Sequence, residues 1–109
     1  MAQDGLNINE VRLGGIVIQV DAVRRTPAGL PVHGFVLDHQ SELREAGMKR
    51  RASCRIRVVA IGLPVKEMAL IDTGAALLVS GFIARDRSER ENRLILHARQ
   101  IEAAASEIF

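Results

Sequence analysis

Between positions 41 and 57 the chain places six cationic side chains, Arg44, Lys49, Arg50, Arg51, Arg55 and Arg57, against only two acids, Glu42 and Glu45. The 109-residue chain as a whole carries a formal charge of just +2, so its basicity is local. A concentrated positive surface suits a polyanion, because neutralising phosphates releases their counterions and that release drives sequence-independent binding. The spacing gives the charge a direction. Ala52, Cys54, Ile56, Val58 and Ala60 share one parity, while Ser53, Arg55 and Arg57 share the other. A strand over 49–61 would then show an apolar face to a core and a basic face to solvent. The plain alternative is a solvated strand face whose charges guard a sheet edge. Thirteen of the fifteen basic residues are arginine. That suits bidentate phosphate contacts and stacking on bases, although a GC-rich genome produces the same bias without functional meaning.

No other constellation carries chemistry. His33, His39, His97 and Cys54 are scattered without the close ligand pairs of zinc sites, and Cys54 falls on the apolar parity, so no metal is expected. Ser41, Ser53 and Ser80 lie in no nucleophile motif, and Asp21, Asp38 and Asp72 lack the spacing of an acid/base pair. Gly14-Gly15 lies inside a strand pattern with no helix after it, which excludes a phosphate loop. The expectation is a binding protein, not an enzyme, with no cofactor. A single cysteine fits a reducing compartment, and no signal peptide or apolar run of membrane-spanning length is visible. These features predict a soluble cytoplasmic protein.

The elements that must position the basic residues read as strands. A 48% hydrophobic content over 109 residues predicts one folded domain, placed here at 9–102 between an N-terminal tail (1–8) and a C-terminal tail (103–109). The first strand runs from Asn9 to Val20, with a bulge or bend expected at Gly14-Gly15. A loop containing Arg24 and Arg25 leads to a second strand from Val32 to Gln40, and a loop over 41–48 leads to the basic strand. Pro64 to Ile71 reads as one or two helical turns that Gly74 can terminate. Strands over 76–84 and 93–102 flank a mixed-charge loop in which Arg85, Arg87 and Arg90 alternate with Asp86, Glu89 and Glu91, and Arg93 follows. Phe35 and Phe82 are expected in the core. The outward halves of the first strand, Ile95 and Ile101 are candidates for a subunit contact. Three strands, a helix and two strands make an all-β, five-stranded Greek-key barrel of the oligonucleotide/oligosaccharide-binding (OB) type, with a short helical segment between strands three and four. Such barrels bind ligands on the face of strands two and three and on the loops joining strands one to two and four to five.

An ordered set of residues sharpens this reading. Asn9, Leu13, Gly15, Val17, Pro27, Gly29, Pro31, Phe35, Leu37 and His39 are followed by Ser41, Glu45-Ala46-Gly47, Arg50 and Cys54. Gly81-Phe82-Ile83, Leu96-His97-Ala98 and Gln100-Ile101-Glu102 complete the set. It resembles the bacterial primosomal replication protein N (PriB) family, small relatives of single-stranded DNA-binding proteins. The resemblance implies a homodimer that binds single-stranded DNA and assists the restart helicase PriA and other primosome components at stalled forks. It implies DNA contacts at Arg24, at Arg50, and in the last loop at Arg85, Arg87, Arg90 and Arg93. With the flanking Arg25, Met48, Lys49, Arg51, Ser53, Arg55 and Arg57, these make up the predicted site.

Two departures qualify the match. Where the family places stacking aromatics this chain has Met48 and Ser53, and it holds no tryptophan or tyrosine. Stacking on an aromatic ring contributes about 1–3 kcal/mol per base, so losing two platforms weakens binding by an order of magnitude or more. The acids of the last loop also dilute its charge. A protein adaptor that docks on the helicase with little DNA affinity of its own is therefore the second expectation. The terminal Ser106-Glu107-Ile108-Phe109 is faintly similar to a partner-recruiting tip but lacks its proline and acidic run, and reads as a plain tail.

Overall fold

Alternating apolar residues from five long strands meet in one cluster. Val17, Phe35, Leu37, Val58, Leu77, Val79, Leu96 and Ile101 are each at most 2% exposed. Every one comes from a strand whose neighbouring positions face the other way, as a sheet with one buried side requires. The computed structural model describes residues 5–86 and 93–104. Its strands are β1 (Val11–Val20), β2 (Arg24–Arg25), β3 (Pro31–Glu45), β4 (Met48–Ile61), β5 (Ala76–Arg85) and β6 (Leu94–Ala103), with a short helix α1 (Val65–Met68) between β4 and β5.

The sheet runs β1-β5-β6-β4-β3-β2, and β1 also pairs with β3. That extra pairing closes β1, β5, β6, β4 and β3 into the expected five-stranded OB barrel, with only β4 and β6 parallel. Closure demands backbones that approach closely. A Cβ on Gly15 would sit 2.5 Å from the Asp38 carbonyl oxygen, and one on Gly81 would sit 1.8 Å from the His97 carbonyl oxygen. Only glycine fits either position. The bulge of β1 lies between Val17 and Gln19, not at the glycine pair, which instead supplies the close approach. A second bulge, at Arg99, interrupts the β5–β6 ladder.

The helix is a single turn. Pro64 stands at its N-cap and its carbonyl accepts from the Glu67 and Met68 amides, both at 3.0 Å. The helix stops at Met68, which plugs the barrel end at 7% exposure, and the Glu67 carboxylate accepts the Ile101 amide proton at 2.6 Å. Gly74 does not end it. Gly74 adopts φ +89 and turns the chain into β5, donating its amide to the Val17 carbonyl at 2.8 Å.

The segment over 41–48, expected as a loop, is strand. β3 and β4 pair without interruption from Val32/Ile61 to Glu45/Met48, joined by the two-residue turn Ala46-Gly47. β1 covers β3 only as far as Asp38, and β6 covers β4 only from Arg57 onward. The outer part of the hairpin therefore leaves the barrel as a two-stranded arm, exposed on both sides. Ile95 and Ile101 are covered within the chain at 8% and 2% exposure, so neither is an outward patch; the Arg99 bulge turns Ile101 inward. Phe35 is core as expected. Phe82 is not: its ring stacks on His97 on the outer face of the barrel.

Candidate nucleic-acid interface

Direct partners across a sheet point to the same side, so the β3–β4 register assigns every basic residue a face. The outer side carries, in order toward the tip, Val36/Arg57, Asp38/Arg55, Gln40/Ser53, Glu42/Arg51 and Arg44/Lys49. The other side carries Leu37/Ile56, His39/Cys54, Ser41/Ala52, Leu43/Arg50 and Glu45/Met48. Lys49, Arg51, Ser53, Arg55 and Arg57 thus form one ladder. Arg50 and Met48 lie on the reverse of the arm. The apolar parity that placed Cys54 in a core continues only to Ile56, and Cys54 is exposed because the barrel ends before it.

The ladder is partly neutralised. Arg57 is ion-paired through Nη1 with Asp21 Oδ2, and Arg55 Nε lies 3.3 Å from Asp38 Oδ1. On the reverse face Arg50 Nε is 3.6 Å from Glu45 Oε1, with both side chains about 70% exposed. Among the described residues Lys49 and Arg51 carry no ion pair, and Lys49 sits opposite Arg44, a like-charge pairing that favours an anion between them. Arg24 pairs with Val32 in the short β2, which brings it to the outer side at the far end of β3. Arg25 points the other way and donates from Nη1 to the Gly29 carbonyl at 2.8 Å, closing its own loop. From the level of Val32 to that of Arg44 the cations follow β3 for about 40 Å, at about 3.3 Å per residue.

Where the arm leaves the barrel a cleft of about 630 Å³ opens between β4 and β6. Val36, Leu94 and Ile95 give it an apolar floor, and Arg55, Arg57 and Arg93 border it. Arg93 belongs to the base of the β5–β6 connection, where its carbonyl accepts the Asp86 amide proton at 2.8 Å. Arg85 is exposed at the end of β5. Arg87 and Arg90 lie outside the described residues. An apolar floor ringed by guanidinium groups is chemically suited to the face of a base, with phosphate held at the rim. Val36 and Ile95 are absent from the predicted site; their signal was apolar character at positions whose parity points outward. The arm is anchored at its root by His39. Its Nδ1 lies 2.6 Å from the Gly14 carbonyl, which only accepts, so Nδ1 carries a proton and donates it there, while Nε2 lies 2.8 Å from the Ser41 hydroxyl. Among the described residues no group of His, Cys, Asp and Glu could hold a metal ion, and no helix is long and apolar enough to cross a membrane.

Known proteins share much of this sequence and its fold. A family model described as another single-strand binding protein family matches residues 9–100. A replication restart protein PriB from Photorhabdus laumondii is 40% identical over 99 residues, spanning 89% of this chain and 94% of that protein. The PriB of Nitrosomonas europaea is 33% identical over 97 residues, spanning 89% of each. The solved PriB structure from Ralstonia solanacearum superposes with a TM-score of 0.76 at 26% identity, over 90% of this chain and 99% of that one. A small single-stranded DNA-binding protein from Streptomyces coelicolor shares the fold at 17% identity and a TM-score of 0.69, over 90% and 94% of the two chains. By sequence along most of its length, and by the barrel that sequence builds, the chain belongs to the PriB family of single-strand binding proteins.

Proposed function

We propose that this chain is a single-stranded DNA-binding accessory of the replication-restart primosome, acting in the cytoplasm as a homodimer and assisting the restart helicase PriA at stalled forks. The observation that carries the reading is the one-sided ladder of Lys49, Arg51, Arg55 and Arg57 opening onto the apolar cleft. Backbone phosphates would lie along the arm while bases reach the cleft floor. Exposed β1 residues Ile16, Ile18 and Val20, at 43%, 38% and 37%, support a subunit contact. The chain's chemistry is binding alone, in keeping with a non-enzymatic family.

A second reading is favoured by the ion pairs. With Arg55 and Arg57 matched to aspartates and no aromatic on the arm, the protein would serve as a helicase-docking adaptor with little DNA affinity. Fluorescence anisotropy of a labelled oligonucleotide at several salt concentrations separates the two. Engagement of about four phosphates gives a log–log salt slope of about −3, and replacing both Lys49 and Arg51 by alanine lowers its magnitude by about 1.4. A negligible slope in the unmodified protein would instead establish the adaptor.

A further inference from the structure

The one stacked aromatic pair among the described residues stands outside both the core and the predicted site. Phe82 on β5 and His97 on β6 are direct partners, and their rings lie parallel within 4° with centroids 5.0 Å apart. The bulge that inserts Arg99 into β6 aims its guanidinium over the Phe82 ring, 5.0 Å from the centroid. A β-bulge commonly re-aims a side chain in this way. Both rings are only partly buried and Arg99 is exposed, so the group faces solvent.

Its location ties it to the cleft. His97 pairs with Val59, two residues along β4 from Arg57, and shares the outward parity of Ile95 on the cleft floor. Neighbouring strands lie about 4.8 Å apart, so Phe82 on β5 stands about 10 Å across the sheet from the β4 ladder. Beyond it, Arg12 and Arg99 line a second hollow between β1, β5 and β6. Cations therefore flank the rings on both sides: the Arg55–Arg57 ladder before them, Arg12 and Arg99 after.

The geometry points to Phe82 and His97 as a base-stacking station for single-stranded nucleic acid, with Arg99 and Arg12 taking the phosphate that follows. This rests on the DNA-binding reading above and extends it, carrying the strand off the arm, over the cleft and across the outer face of β6 and β5. A partly exposed Phe ring serves any base, since every base offers a π-face. Arg99, which now covers that ring, is the group a base would displace toward a phosphate. The station replaces, at another place on the barrel, the aromatic platforms that Met48 and Ser53 fail to provide.

The test compares the unmodified protein with Phe82→Leu, Phe82→Ala and Arg99→Gln, titrated into fluorescein-labelled oligothymidylate at several salt concentrations, with sedimentation velocity and circular dichroism on each. Phe82→Leu keeps apolar packing but removes the π-face, so it guards against a misfolded alanine variant. The expected result is about 5- to 100-fold weaker binding by Phe82→Leu with an unchanged salt slope, and a slope smaller in magnitude by about 0.7 for Arg99→Gln. Binding by a folded Phe82→Leu within twofold of the unmodified protein would overturn the station while leaving the DNA-binding reading intact. So would a changed sedimenting mass, which would assign the rings to a subunit contact. No salt-dependent binding by the unmodified protein would remove both.

Discussion

Arg55 and Arg57 share one face of β4, but their carboxylate partners hold them differently. The Arg57–Asp21 pair is about two-thirds covered on each side, and it packs over Gly34, where a Cβ would fall 2.7 Å from Asp21 Oδ2. The Asp21 amide also donates to the Gly34 carbonyl at 2.8 Å, fixing the aspartate at that spot. Arg55 is 70% exposed beside Asp38 at 28%, so water and salt already compete for its guanidinium. A phosphate therefore recruits Arg55 more readily than Arg57. Asp38→Asn is expected to tighten oligonucleotide binding a few-fold and to increase the magnitude of the salt slope by about 0.7, one more released counterion, with the melting temperature unmoved. Asp21→Asn is expected to do the reverse in kind: it strands a partly covered guanidinium and lowers stability by about 1 kcal/mol, read as a lower denaturation midpoint.

The β3–β4 arm owes its shape to its turn. Ala46 and Gly47 take φ 52 and φ 79, the paired left-handed conformation that matches the twist of two antiparallel strands. Gly47 adopts it without strain, whereas Ala46 holds its Cβ against the following carbonyl at a cost of about 1 kcal/mol. Ala46→Gly or Ala46→Asn should therefore raise stability by about 0.5–1 kcal/mol in chemical denaturation, with no change in oligonucleotide affinity, because the turn lies beyond the ladder. Gly81→Ala belongs at the other extreme. Its Cβ would meet backbone, not a side chain that can swing aside, so a loss of about 2–3 kcal/mol or failure to fold is expected on denaturation. The barrel strands were legible in the sequence because Phe35/Leu37, Val58/Ala60 and Leu96/Ala98 alternate with outward residues. The outer part of β3 over 41–45 was not, because it is charge-rich and mostly exposed on both sides, and such a strand reads like loop. Cys54 and Ala52 continue the core parity past the point where β6 stops covering β4, so the pattern overstated the buried face. Ile101 was misjudged for a different reason: a bulge shifts parity by one residue and leaves no mark in composition.

Closing the barrel leaves β1 with two unequal halves, and that asymmetry bears on the proposed subunit contact. Through Ile16 the strand is hydrogen-bonded to β5, while from Ile16 to Val20 it turns to β3, with Ile18 pushed out at the bulge. Ile16 alternates with the 1% exposed Val17, Ile18 is the bulged residue and Val20 ends the strand, and all three remain more than a third exposed. Water-facing isoleucine and valine gain about 25 cal/mol for each Å² covered, which favours a neighbour of the same chemistry, and in the proposed homodimer a second copy would supply it. In the proposed homodimer two copies would bring two ladders to one nucleic acid, so the second engagement would become intramolecular and the observed affinity would exceed that of either ladder alone. Ile18→Glu places a charge in that contact without touching a basic residue or the core. It is expected to halve the sedimenting mass, leave the thermal transition cooperative, and weaken binding at least tenfold to an oligonucleotide long enough for both ladders, yet only slightly to one that spans a single ladder. Equal losses for the two lengths would place the effect in the ladder itself, and an unchanged mass would move the subunit contact off β1.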